Sequence, residues 1–155
     1  MNPAEQVCEL QYFDGSTRQV RLLDEDLPFP EGRLIVSRTD LQGRITHCNS
    51  AFVAMSGYSE AELIGQPHSI LRHPDMPAAA FADLWQTVQS GEKWHGYVKN
   101  LRKDGRYYWV FAVVIPNIRD GLVVSYTSVR RKPAQRRVDE VVTLYRQMKA
   151  AEAGV

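Results

Sequence analysis

Two Asp-Gly pairs in the second half of the chain, Asp104-Gly105 and Asp120-Gly121, restrict its fold more than any other feature. Asp-Gly supplies the backbone conformations that tight hairpin turns need, and each pair sits between runs rich in aromatic and β-branched residues. Residues 94–101 lead into Arg102-Lys103-Asp104-Gly105, residues 107–115 follow and are predicted to stop at Pro116, and residues 122–130 come after the second turn. Three strands joined in this way form an antiparallel meander with one face to cover.

The residues upstream supply the cover. Residues 78–90 carry Phe81, Leu84, Trp85 and Val88 at i, i+3, i+4 and i+7, a single apolar helical stripe closed by Gly91. Before them comes Leu71-Arg72-His73-Pro74-Asp75-Met76-Pro77. Each proline pushes its predecessor out of the α region, so this is a stiff bend leading into a helix start. A bend carrying a guanidinium, an imidazole and a carboxylate ahead of an indole reads either as a polar lip over an aromatic pocket or as an ion-paired surface turn. Asn49-Ser50 can cap a short helix over residues 51–55 that ends at Gly57, and Ser59-x-x-Glu62 is a capping box opening another that runs to Gly65.

Residues 33–39 and 44–49 read as two further strands around the turn Asp40-Leu41-Gln42-Gly43, the second alternating Ile45, His47 and Asn49 against Thr46 and Cys48. The element order is two strands, several short helices, one longer helix and three strands. That is an α+β fold: a five-stranded antiparallel sheet with the helices on one face. Residues 1–32 form an N-terminal cap with a possible hairpin turn at Asp14-Gly15, residues 33–131 the domain, and residues 132–155 an amphipathic C-terminal helix with Val138, Val141, Val142, Tyr145 and Met148 on one side.

At 155 residues and 44% hydrophobic the chain has mass for one core, and a net charge of +1 argues against nucleic acid as a partner. Cys8 and Cys48 give no disulfide framework, and His47, His68, His73 and His95 show no metal-site spacing. With no apolar run of about 20 residues and no signal peptide, the sequence reads as soluble and cytoplasmic. The basic residues Arg130, Arg131, Lys132, Arg136 and Arg137 allow at most a peripheral membrane contact.

The ordered set of Asn49, Gly57-Tyr58-x-x-x-Glu62-Leu63-Ile64-Gly65 and Arg102-Lys103-Asp104-Gly105 resembles a PAS domain. The segment RHPDMPAAAFADLWQTVQSGEKWHGYVKNLRKDGRYYWV is similar to the FAD-binding sensor domain of bacterial aerotaxis receptors, and more distantly to that of nitrogen-fixation regulators. This resemblance implies non-covalently bound FAD, held by Asn49, Arg72, His73, Asp75, Asp83, Trp85, Trp94, Asn100 and Tyr108. Asn100 would offer an amide donor and acceptor to the flavin edge, Trp85 a stacking surface, and Arg72 and His73 contacts to pyrophosphate or ribose, with Asp75 orienting them. Asn49 serves equally as a helix cap, and Trp94, Asp83 and Tyr108 equally as structural residues. Against the blue-light flavin pattern, His68 stands where the adduct-forming Cys would be, Val110 where a second flavin-contacting Asn would be and Ser128 where the last-strand Gln would be, so redox state and not light is the implied signal.

With no Gly-rich dinucleotide loop, no nucleophile arrangement and no metal cluster, the sequence reads as a non-enzymatic signalling module. The apolar stripe of the C-terminal helix argues for packing on its own copy in a homodimer, and the resemblance implies a HAMP-like or methyl-accepting partner. Two other readings of the same fold stay open: a haem-binding gas sensor with His68 or His73 as axial ligand, and a cofactor-free interaction domain.

Overall fold

The computed structural model describes residues 5–11 and 17–153, with side chains from residue 22 to residue 153. An N-terminal hairpin pairs β1 (Glu5–Gln11) with β2 (Thr17–Leu23), and the Asp14-Gly15 turn lies outside the described residues. The chain then runs beside the domain: Leu23 N donates to Gly105 O and Leu27 N to Tyr107 O, both at 2.8 Å.

β3 (Ile35–Thr39) and β4 (Ile45–Cys48) flank a turn that Asp40 closes, its Oδ1 accepting from Gln42 N and Arg44 N at 2.9 Å. A register shift between Arg38 and Thr39 breaks the simple alternation of β4, so Ile45 is buried while His47 points to solvent. Asn49 caps α1 (Ser50–Ser56), which ends on Gly57 at φ +76°. Ser59 and Glu62 form the capping box of α2 (Glu60–Leu63). A 3-10 turn over His68–Leu71 and the double-proline bend lead into α3 (Ala78–Gln89).

β5 (Trp94–Leu101), β6 (Tyr107–Arg119) and β7 (Leu122–Arg131) make the meander, and the sheet order is β4-β3-β7-β6-β5. β6 does not stop at Pro116 but continues to Arg119, with Pro116 opposite Tyr126. The β5 partner ends at Val114, so beyond it β6 has a neighbour on one side only, and a proline is tolerated on such an edge.

One face of the sheet, with α1, α2 and α3 over it, encloses the core, in which Ile35, Phe52, Leu63, Leu71, Val88 and Val110 are fully buried. Each such side chain contributes roughly 1.5–3 kcal/mol relative to exposure. The opposite face carries α4 (Gln135–Ala153). Val138 is buried, the Tyr145 ring stacks on Trp109 at 6.2 Å between centroids, and its hydroxyl donates to Tyr97 O at 2.7 Å. The apolar stripe that argued for a second copy is therefore turned onto the protein's own sheet. The basic cluster is dispersed as well: Arg130 is buried, Lys132 pairs with Glu31, and Arg136 and Arg137 pair with Glu140.

Candidate functional site

Between α3 and the sheet lies a cavity of about 570 Å³, within the roughly 300–1,000 Å³ range of small-molecule sites. Its walls are mainly apolar: Phe81, Leu84 and Trp85 from α3, Trp94 and Val98 from β5, Ala112 and Val114 from β6, and Tyr126 from β7. Trp85 meets Tyr126 edge-on, 5.5 Å between centroids, and lies against Gly43, where a Cβ would come within 3.1 Å of the indole. Trp94 lies flat over Gly96, where a Cβ would come within 2.6 Å of its ring, and its Nε1 donates to Asp83 Oδ2 at 2.9 Å. Glycine at position 96 and the carboxylate on α3 together hold that indole as a wall.

The polar groups are few and well placed. Asn100 is buried on the inner face, its backbone forms a bridge to Arg72, and its amide meets the Tyr108 phenol. Burial pushes that phenol up to about 12. Arg72 lines the mouth, its guanidinium 4.3 Å from the centre of the Phe81 ring.

At the base sits Arg130, which reading it as one of a basic run had turned outward. Tyr126, Ser128 and Arg130 alternate along β7 onto the buried face, a period-two pattern visible in the sequence that a count of charges passes over. Its Nε donates to Ser128 Oγ at 3.1 Å, its Nη2 bonds Ser37 Oγ and lies 3.3 Å from His68 Nε2, and the guanidinium rests over the Phe52 ring. Its ion-pair partners among the described residues include no carboxylate, and burial pushes its pKa down to about 10. Burial and this neighbouring cation push His68 down to about 3, so the imidazole is neutral. Among the described residues, Arg130 and Ser69 of the cavity lining each carry a buried polar atom with no hydrogen-bond partner, Arg130 Nη1 and Ser69 Oγ. A buried unpaired donor is costly, and a guanidinium can be satisfied only by an acceptor.

Of the nine residues the sequence singled out, the structure brings Arg72, Trp85, Trp94 and Asn100 to the cavity wall. Asp83 and Tyr108 lie behind the wall, against Trp94 and Asn100. Asn49 stands apart, and its amide is engaged elsewhere: Oδ1 accepts from Phe52 N and Val36 N, and Nδ2 donates to Leu34 O. His73 and Asp75 belong to the outer side of the bend. The buried His73 Nδ1 accepts from Asp75 N at 3.0 Å, and Asp75 pairs with Lys99 at 2.8 Å. Arg130, Ser69 and Tyr126 were not anticipated as site residues.

Residues 45–130 match the family described as the PAS fold. The chain belongs to this family. Over 126 residues this PAS domain is 46% identical to the aerotaxis receptor of Escherichia coli strain K12, an alignment covering 81% of the chain and 25% of that receptor. It is 29% identical to the nitrogen fixation regulatory protein of Klebsiella pneumoniae over 65% of the chain and 21% of that protein. The chain thus spans about a quarter or less of the curated relatives it matches. The blue-light photoreceptor Aureochrome1 LOV domain in its light state superposes with a TM-score of 0.65 at 21% identity, over 70% of this chain and 88% of that one, which establishes the shared fold. Both resemblances read from the sequence and the five-stranded α+β architecture are thereby shown. The PAS relatives make this a sensor-type domain of signal transduction. No helix among the described residues is long and apolar enough to cross a membrane.

Proposed function

We propose that this PAS domain binds FAD non-covalently in the cavity beneath α3 and transmits the redox state of the flavin to a signalling partner, in a response of the aerotaxis type and without catalysing a reaction of its own. The observation that carries the reading is that Arg130 and Ser69, which line an aromatic cavity together with Asn100, each hold a buried polar atom without a partner among the described residues, Arg130 Nη1 and Ser69 Oγ. The donor set suits a planar heteroaromatic ring with several acceptor atoms on its edge. Asn100 can donate and accept, Trp85 and Trp94 exclude water, and Arg130 supplies a positive charge that no carboxylate among the described residues neutralises.

A bound flavin supplies reversible electron transfer with a change of charge on its ring. Arg130 then favours whichever state carries more negative charge, because a cation in a site of low polarity acts strongly on its neighbours. Arg72 at the mouth suits the pyrophosphate of a dinucleotide and supports FAD over FMN. The identity to the aerotaxis receptor supports the type of response, and the far greater length of the relatives supports a partner or a further domain that receives it.

The haem alternative has less support from the side chains. His68 Nε2 is engaged with Ser37 and Arg130, and His73 faces away from the cavity lining, its Nδ1 bonded to the Asp75 amide. The absorption spectrum of the purified protein separates the readings: flavin bands support the proposal, while a Soret band or a featureless visible region overturns it. Heat release followed by chromatography against FAD and FMN standards then tests the dinucleotide, and FMN as the main species would reject that part.

A further inference from the structure

α4 crosses the outer face of the sheet and reaches the rim of the cavity with its last two turns. Lys149 Nζ donates to Pro74 O at 2.7 Å, and the two carboxylate oxygens of Glu152 accept from Ala78 N at 3.0 Å and Ala79 N at 3.1 Å. The N-cap of α3 is Pro77, whose side chain can accept nothing, so the first amides of α3 lack a local partner. Glu152 supplies the cap from across the fold, with a charge that suits a helix N-terminus. Its carboxyl is held below the usual value by those two amides, and Arg72 acts on it in the same sense.

The rim that α4 grips adjoins the cavity through Arg72 and Phe81. Arg72 packs its guanidinium on Phe81 of α3 and bridges its backbone to Asn100, and both Arg72 and Asn100 line the cavity. The segment therefore connects two cavity residues to the end of α4. A backbone bridge joins Asn100 to Arg72, the stiff bend carries the chain on to Ala79, and the Lys149 and Glu152 side chains bond the backbone of that bend and of the α3 start.

We propose that α4 is a strap on this rim: docking of its last two turns and the closed geometry of residues 72–79 are one equilibrium, so that a disturbance at Arg72 is read out as release of residues 145–153. This adds to the covalent exit through β7 a second route, across the rim, to the far end of the helix. Linkage requires the effect to be reciprocal: if docking of the strap strengthens ligand binding at the rim, bound ligand must strengthen docking by the same factor. Only that ligand readout rests on the flavin proposal above.

The test is amide hydrogen exchange on the full chain, together with titration of added FAD, for the wild type, Glu152→Ala, Glu152→Gln and Arg72→Ala. Glu152→Ala is expected to speed exchange at residues 78–81 and at residues 145–153 together, by about three- to tenfold as for a lost helix cap, and to weaken FAD binding to the extent that it depletes the docked state. Glu152→Gln, which keeps an acceptor without the charge, falls between. Arg72→Ala, at the other end of the connection, is expected to speed exchange at residues 145–153. The strap is overturned if Glu152→Ala loosens residues 145–153 alone, or if Arg72→Ala leaves them unchanged. Should the wild type bind no FAD, the flavin reading fails while the two exchange comparisons, which need no ligand, still decide the strap.

Discussion

His68 Nε2 lies 3.3 Å from Arg130 Nη2 at the base of the cavity. A guanidinium only donates, so the contact requires an unprotonated imidazole. Burial and the Arg130 charge push His68 down to about 3, against about 6.5 in an unfolded chain. Between those values the unfolded state binds a proton that the folded state refuses. The contribution of His68 is therefore complete above about pH 6.5 and is lost as pH falls toward about 3, at up to about 1.4 kcal/mol per pH unit. His73, lowered by burial and by Lys99, adds in the same sense. Urea unfolding between about pH 7 and pH 5 should show a shallower loss in His68→Gln than in the wild type. Identical pH dependence in both would remove His68 from the account.

Arg130 separates the needs of the empty fold from those of a ligand. Replacing a buried, uncompensated charge with an apolar side chain of similar length is often neutral or stabilising, by up to about 1–4 kcal/mol. Arg130→Met should leave the thermal midpoint of the ligand-free protein unchanged or raise it. The same change should weaken flavin binding by about 10-fold or more, the loss of one charge-assisted hydrogen bond. A large fall in the midpoint with unchanged binding would make Arg130 a structural residue.

Gly96 is predicted to control the shape of the cavity. A Cβ there would come within 2.6 Å of the Trp94 ring, which cannot swing away freely because Asp83 holds its Nε1. Gly96→Ala should cost about 1–3 kcal/mol by overpacking, shift the Trp fluorescence, and lower flavin occupancy. Adding Trp94→Leu to Gly96→Ala should recover the stability, since the clash is with that ring alone. No recovery in the double variant would refute the contact as the cause.

Asn49 provides the contrast. Its amide caps α1 and ties β3 to the helix start, and it lies outside the cavity lining. Asn49→Ala should cost about 1–2 kcal/mol as a lost cap and leave flavin affinity per folded molecule unchanged. A change in that affinity at constant stability would restore Asn49 to the site.

What sequence alone determined was local. Asn49, Ser59 with Glu62, and Gly57 announce helix ends because a cap is satisfied within a few residues, and Asp104-Gly105 and Asp120-Gly121 announce hairpins because the turn conformation is carried by the pair itself. The period-3.6 stripe of α3 and the stripe of α4 were legible for the same reason, as were Trp85 and Asn100 as cavity residues through their resemblance to a known pattern. What the stripe of α4 covers was not legible, because an apolar face specifies burial without naming its partner, and Trp109 and Tyr97 became that partner only once the sheet had formed. Pro116 could stay in a strand only because β5 ends before it, a fact about a neighbour and not about proline. Arg130 reads as one more surface cation until β7 is paired between β3 and β6, with Tyr126 and Ser128 beside it on the inner face. The tertiary structure alone decided that its charge is buried against a mainly apolar cavity, and burial is what gives a common residue a strong electrostatic effect there.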